Sequence, residues 1–344
     1  MSGQDSGVAL ALRAAATARP AAARPAAATA RPAPAVTSDA RVSARPAAAA
    51  GLDAKVLALP EAPEGRFLVH ERLGRGATAT VFRGTDLADG RPVAIKVAEG
   101  PQSRQSERIH AEARVLASLD HPAIVTLIAE GVVPAGDQWA GRPFLVEEFV
   151  FGGSLADRIR RGPAGAGDVA GWAVAALSGL AHVHSRGLVH RDIKPANILL
   201  SELRRSAVRI ADFGIATPVG VELEPGDSSG TVHYMSPEQA AGRLPGAAAD
   251  VYALGLVLLE CLTGVKAFPG TPVESLVSRT LRCPEIPAGL GADWVSLLTA
   301  MTAMDPAARP SAAAAGALAA DLWTPHRRLP GKFRTPVRPP WRTR

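Results

Sequence analysis

The segment His190-Arg191-Asp192-Ile193-Lys194-Pro195-Ala196-Asn197-Ile198-Leu199 packs a carboxylate, a lysine two residues on and an amide five residues on into one short loop. A carboxylate placed this way can orient a hydroxyl and take its proton. The lysine can steady a phosphoryl group in flight, and the amide oxygen can hold a hard cation. The plain alternative is a chance polar loop ahead of the apolar run Ile198–Leu200, and it leaves this complementarity unexplained. Asp212-Phe213-Gly214 follows a second short run, Val208-Arg209-Ile210, and offers another hard oxygen ligand. An Asp-x-Gly turn is common on its own; one at this distance after Asn197 carries more weight.

Upstream, Leu73-Gly74-Arg75-Gly76-Ala77-Thr78-Ala79-Thr80-Val81 reads as a glycine turn between two strands. Glycines let a backbone approach phosphates and offer them N–H groups. Taken alone this signal is weak, and Ala79 holds the third place of the G-x-G-x-x-G pattern. The helix that a dinucleotide-binding fold needs after such a loop is missing. In Val93-Ala94-Ile95-Lys96 a lysine sits in mid-strand, where it could simply reach out to water. Glu112 changes that weighing. Ile109, Glu112, Leu116 and Leu119 recur at helical spacing, which puts a carboxylate on an apolar face, and Lys96 and Glu112 each supply the partner the other lacks.

The elements that must hold these groups divide the chain. From Phe67 to about Val97 the pattern is strand-like, with Val93, Ile95 and Val97 on one face and Ala94 and Lys96 on the other. Two more short strands are expected around Ile124–Ala129 and Phe144–Phe149. After Gly152-Gly153 the chain reads as helical. Val174, Leu177 and Ala181 form one stripe that Gly187 ends, and Val251–Leu262 is apolar all round and closes at Gly264, as befits a helix buried in a lobe. A β-rich first third and a helical remainder predict an α+β, two-lobed architecture with a cleft between.

Residues 1–60 are dominated by Ala, Pro and Arg and read as a disordered arm; 325–344 reads as a basic disordered tail. The ordered part is then 61–324, with a first lobe over about 67–150 and a second over about 151–324. The net charge of +6 is concentrated at the ends, since the arm contributes +4 and the tail +7, leaving −5 for the middle. The basicity is therefore no sign of a nucleic-acid-binding fold. Contact of the tails with nucleic acid or an anionic surface stays open, but solubilising low-complexity tails are the favoured reading. Cys261 and Cys283 form neither a disulfide framework nor a metal cluster, the longest apolar run is too short to span a bilayer, and no secretory h-region is expected. These features predict a cytoplasmic protein without a transmembrane segment.

The glycine loop, Val-Ala-Ile-Lys, the helix glutamate, His-Arg-Asp…Lys…Asn, Asp-Phe-Gly and Ser236-Pro237-Glu238 occur in the order of the protein-kinase signature set. Over about residues 67–324 the chain resembles the bacterial, eukaryotic-like (Hanks-type) serine/threonine protein kinases. Asp250-Val251-Tyr252-Ala253-Leu254-Gly255 resembles their central helix, and Asp305-Pro306…Arg309-Pro310 their late arginine segment, whose arginine pairs with the residue matching Glu238. The resemblance implies a bilobal kinase that moves the γ-phosphate of ATP to Ser/Thr hydroxyls of proteins, with Mg²⁺, or Mn²⁺ in its place. Backbone around Gly74 and Gly76 would cover the phosphates, Leu73 would join the nucleotide-binding set, and Lys96, held by Glu112, would bind the α- and β-phosphates. Val81, Ala94 and Leu199 would sandwich adenine, with Glu148 and Val150 at the hinge. Asn197 and Asp212 would hold the cation, while Asp192, Lys194 and Asn197 form the catalytic set. Leu116, Leu127, His190 and Phe213 match a stack that couples the lobes.

Lys194, and Gly230-Thr231 ahead of Tyr234, match the Ser/Thr form, with Thr231 contacting Asp192 and Lys194. Arg191 beside Asp192 resembles kinases whose activation loop is ordered by phosphate, so autophosphorylation is expected among Thr217, Ser228 and Ser229. Glu147 breaks the pattern at the back of the adenine pocket, a place usually apolar or Thr. Either it competes with Glu112 for Lys96 or the hinge register slips by one residue, and the sequence does not decide. Two rival readings stay open: a scaffold that binds partners without catalysis, supported by Ala79 and Glu147, and a small-molecule phosphotransferase, opposed by Ser236-Pro237-Glu238 and Arg309.

Overall fold

In the computed structural model the described residues are 66–76, 78–100, 104–134, 139–201, 206–214, 216–218 and 232–327. The arm 1–60, Thr231, Ser228, Ser229 and most of the basic tail lie outside them. Alternation governs the first part of the chain. Strands β1 (Phe67–Arg75), β2 (Ala79–Asp86) and β3 (Pro92–Ala98) are followed by helix α1 (Arg104–Ala117), then by β4 (Leu127–Val132) and β5 (Pro143–Glu148). The strands form one sheet in the order β1-β2-β3-β5-β4, all neighbours antiparallel. Val93, Ile95 and Val97 bury one face of β3 against Phe67, Phe82, Phe144 and Val146. The opposite face carries Ala94 and Lys96 toward the site, as a period of two requires.

The second lobe is helical. It comprises α2 (Leu155–Ile159), α3 (Ala166–Ser185), the short strands β6 (Leu188–Val189), β7 (Ile198–Leu200), β8 (Val208–Ile210) and β9 (Thr217–Pro218), then α4 (Pro237–Ala240), α5 (Ala247–Thr263), α6 (Pro272–Leu281), α7 (Ala292–Met301) and α8 (Ala312–Arg327). Helix α5 is buried along nearly its whole length, and Gly264 closes it with a left-handed φ of 76°. A β-rich lobe and a helical lobe are thus both present, in the expected order.

Several boundaries differ from the sequence reading. Residues around Ile124 do not join β4. Val125 donates its N–H to the Ile210 carbonyl and Ala123 accepts from Ile210 N, so this stretch pairs with β8 of the other lobe and β4 begins at Leu127. In α3 the fully buried stripe is Val169, Ala173, Ala176, Leu177, Leu180 and Val183, while Val174 and Ala181 are half-buried. The helix is packed on several sides, so one apolar stripe does not fix which face is deepest. Helix α8 continues to Arg327 through Pro325, where the tail was expected to begin.

Gly152 fixes how the strand-rich lobe joins the helical one. A Cβ there would lie 2.2 Å from the Leu200 carbonyl oxygen, which instead accepts the Gly152 N–H at 3.1 Å. Only glycine allows this approach, and it holds β7, with Leu199, against the segment 152–154 that follows β5.

Candidate active site

Lys96 extends from the open face of β3 into a cluster of acids. Its Nζ donates to Glu112 Oε2 at 2.6 Å and to Asp212 Oδ1 at 2.7 Å. Glu112 is buried on α1, and its other oxygen accepts the Phe213 backbone N–H at 3.0 Å. One carboxylate therefore ties the sheet, the helix and the Asp-Phe-Gly turn together. Burial alone would lower the Lys96 pKa, but the Asp212 and Glu112 carboxylates outweigh it and keep the ammonium charged. Lys96, aided against burial by Lys194, holds the Asp212 carboxyl down to about 2. Burial pushes Glu112 up, and Lys96 partly offsets that.

The second network lies in the loop between β6 and β7. Lys194 Nζ donates to Asp192 Oδ2 at 2.6 Å, and Asn197 Nδ2 donates to the Asp192 carbonyl at 2.9 Å and to Oδ2 at 3.1 Å. Spending the amide nitrogen on Asp192 leaves Asn197 Oδ1 as the outward acceptor. The loop is anchored from below by Asp250 on α5. Its Oδ2 accepts from the His190 N–H and His184 Nε2, and its Oδ1 from the Arg191 N–H, each at 2.8 Å. Arg191 and Asp212 both sit at positive φ, 69° and 64°. Such backbone costs about 1–3 kcal/mol per residue and persists only where surrounding bonds over-determine it. Asp250 supplies those bonds for Arg191; Lys96, with Glu112 holding Phe213, does so for Asp212.

The glycine segment spans the end of β1 and the start of β2, so its first and last residues are strand rather than loop. Gly74 pairs with Val81, and the Gly76 N–H closes the turn on the Ala79 carbonyl at 2.9 Å. Ala79 is buried beside Ala98, Ile109 and Leu145. Its methyl lies on the sheet face that carries Val81 and Lys96 and is covered there by Ile109 of α1, so the departure from a third glycine has a packing reason. Glu99 braces the loop by accepting from Thr80 Oγ1 at 2.6 Å and from Arg75 Nε at 3.1 Å. Leu73 is exposed, and Val81 and Leu199 are half-buried. Val150 is half-buried against the helical lobe's core. His190 and Phe213 stack edge-on at 4.6 Å, with Leu116 in the same core and Leu127 packed against it.

Glu147 does not take Lys96 from Glu112, and the register of β3 with β5 does not slip: Ala94 faces Glu147, Ile95 faces Val146 and Lys96 faces Leu145. Glu147 Oε1 is buried and accepts no hydrogen bond. Burial, then the neighbouring Glu112 carboxylate, pushes Glu147 up to about 8 against the pull of Lys96. The Glu148 side chain turns away, to Arg209 Nε at 3.0 Å and Thr126 N at 3.2 Å. Arg309 and Glu238 form a buried two-pronged pair at 2.7 and 2.8 Å. Sequence reasoning missed Arg209, Glu99 and the anchoring role of Asp250. Asp250 alone carried a signal, as a carboxylate in the first turn of a largely apolar helix.

A strand-rich lobe and a helical lobe that share one lysine between two carboxylates define a phosphate-transferring enzyme of two-lobed build. A family model described as the protein kinase domain matches residues 67–319. Serine/threonine-protein kinase PknL of Mycobacterium tuberculosis is 34% identical over 283 residues, covering 78% of this chain and 69% of the relative. Serine/threonine-protein kinase PknB of the same species is 36% identical over 267 residues, 72% of this chain and 41% of the relative. Serine/threonine-protein kinase PrkC of Bacillus subtilis is 37% identical over 224 residues, 63% of this chain and 33% of the relative. The chain belongs to the protein kinase family, as a bacterial Hanks-type serine/threonine kinase that uses ATP and a divalent cation. No helix among the described residues is long and apolar enough to cross a membrane.

Proposed function

We propose that Asp192 is the group that orients the acceptor Ser/Thr hydroxyl of a protein substrate and takes its proton during transfer from ATP. The observation that carries this reading is the position of its Oδ2 between Lys194 Nζ and Asn197 Nδ2, at 2.6 and 3.1 Å, which fixes the carboxylate while the loop below is pinned by Asp250. Lys194 steadies the transferring phosphoryl group. Lys96 binds the α- and β-phosphates, backbone around Gly74 and Gly76 covers them, and Leu73 contacts the nucleotide. A Cβ on Gly74 would meet no protein atom, so packing within the protein does not require glycine there, whereas a phosphate under the backbone would. Val81, Ala94 and Leu199 sandwich the base, with backbone of Glu148 and Val150 at its edge.

The residues fit a hard cation such as Mg²⁺, with Mn²⁺ as its substitute. Asp212 stays ionised and Asn197 Oδ1 is left free of its own nitrogen's bonds. Among the described residues no group of three or more His, Cys, Asp or Glu forms a protein-only metal cage, which suits a cation held partly by phosphates. When bound, the cation neutralises charge developing on the phosphate oxygens. Everything else is positioning by this chain's own side chains.

The reading includes autophosphorylation among Thr217, Ser228 and Ser229, protein substrates as partners, and a cytoplasmic catalytic domain where ATP is available. A radiolabelled ATP assay with a generic protein substrate, run beside Asp192→Asn, tests it. Label on Ser/Thr that the variant lacks is expected; equal incorporation by both would remove Asp192 from its role. Phosphopeptide mapping after incubation with Mg-ATP checks the loop sites, and an unmodified loop would remove that part.

A further inference from the structure

Glu147 is a departure that the proposed reaction does not use, and its surroundings are specific. It lies near the end of β5, on the sheet face shared with Ala94 and Lys96, because Phe144 and Val146 point into the opposite core. Successive positions along β3 place two levels in the cleft, about 6–7 Å apart for a two-residue step. At one level Lys96 stands opposite Leu145; at the other Ala94 stands opposite Glu147. Phosphates belong at the lysine level, so the base belongs at the level of Ala94 and Glu147. The carboxyl there has a buried Oε1 with no hydrogen-bond partner, while the Lys96 ammonium is committed to Glu112 and Asp212. Leaving such an oxygen without a donor is costly, and native proteins keep few of them.

We infer that Glu147 is a base-reading residue, whose free oxygen accepts an N–H from the exocyclic amino group of adenine. This rests on the placement of the base against Val81, Ala94 and Leu199 proposed above. The carboxyl keeps an acceptor oxygen whether or not it carries a proton. An amino group at that edge satisfies it. A purine with hydrogen in place of the amino group leaves the oxygen buried and unpaired. Sites that hydrogen-bond a ligand donor reject analogues lacking it far better than apolar pockets reject a missing methyl. A purely structural acid at this position would be indifferent to the base.

The test compares binding of ATP and purine riboside triphosphate, which lacks the amino group, to the full chain as wild type, Glu147→Gln and Glu147→Met. Each ratio of dissociation constants is taken within one variant, so changes in overall activity cancel. The ratio is expected to favour ATP by at least about tenfold in the wild type, to stay within about threefold of that in Glu147→Gln, and to fall about tenfold in Glu147→Met. Glu147→Leu gives a second apolar replacement should the methionine variant fold poorly. An unchanged ratio in the apolar variants overturns the inference, as does a wild type that does not prefer ATP. Absence of any nucleotide binding to the wild type would instead overturn the placement of the nucleotide itself.

Discussion

Arg209 and Glu148 meet at 3.0 Å between strands of different lobes, the guanidinium buried in β8 and the carboxylate at the end of β5. Glu148 also accepts the Thr126 N–H, so one carboxylate joins the end of the sheet, the crossing segment and the strand that leads to Asp212. Removing one partner of a buried pair is costly because the other charge is stranded. Here the Glu148 side chain keeps 25% exposure and can take up water, which moderates the loss. Arg209→Met should lower stability by about 1–3 kcal/mol, and Glu148→Gln by less than about 1 kcal/mol, since an amide oxygen still accepts both donors. Urea unfolding of both variants checks the order. Equal losses would mean that packing of Arg209, rather than the pair, carries the effect.

Lys96 and Glu112 allow a sharper separation of stability from activity. Lys96→Met should abolish phosphate transfer and cost about 3–5 kcal/mol, because Glu112, 1% exposed, is left without its cation. Adding Glu112→Leu removes the stranded charge. The double variant should regain about 1–3 kcal/mol while remaining inactive, a coupling that a double-mutant cycle measures directly. A double variant no more stable than Lys96→Met would show that Asp212, not Glu112, is the acid Lys96 chiefly satisfies.

How much of this was legible in the sequence depended on the kind of signal. Lys96, Glu112, Asp192, Lys194, Asn197 and Asp212 stand in a fixed order with local spacing, and period-two alternation alone turned Lys96 away from Val93 and Ile95. The two-lobed order followed from strands giving way to helices. Arg209 was illegible because its partner lies sixty-one residues away and a lone arginine in a short strand has many uses. Glu147 was visible as an anomaly, yet its register could be fixed only by the pairing of β5 with β3. The strand end at Leu127 was misjudged because 123–125 pair with a strand of the other lobe, a long-range choice that no local pattern records.

Glu147 also imposes a pH dependence whose sign can be worked out. Burial, then Glu112, raises its folded-state pKa from an ordinary 4.5 to about 8. Between those values the folded chain binds more protons than the unfolded one, so its stability contribution is full below about pH 4.5 and is lost as pH rises toward 8. Depressed acids act oppositely: Asp212, and Glu238 held down by Arg309 despite burial, lose their contribution only as pH falls below the ordinary carboxylate range. Glu147→Gln should therefore gain on the wild type as pH rises from 5 to 8, by up to about 1.4 kcal/mol per pH unit. Chemical denaturation at several pH values measures this. A constant difference between the two proteins would mean that Glu147 is ionised across the range.

Asp250 provides the most direct link between the helical core and the loop that carries Asp192, the proposed catalytic carboxylate. Both its oxygens are used: Oδ1 takes the Arg191 N–H, and Oδ2 takes the His190 N–H and His184 Nε2. With one acceptor oxygen and one donor nitrogen, Asp250→Asn can satisfy only one side of this arrangement, and its NH₂ must face a donor on the other. Arg191, at φ 69°, then loses a bond that over-determines its backbone, and the carboxylate of the next residue, Asp192, loses its fixed position. Misplacement of a reacting group by about 1 Å can cost about a hundredfold in rate. Asp250→Asn should accordingly lower kcat by about 10–100-fold while leaving the KM for ATP within about threefold, since Lys96 and the glycine loop are held by other bonds. Steady-state kinetics with both substrates varied distinguishes the cases. A rise in the KM for ATP with unchanged kcat would show that Asp250 acts through the nucleotide pocket rather than through the loop that carries Asp192.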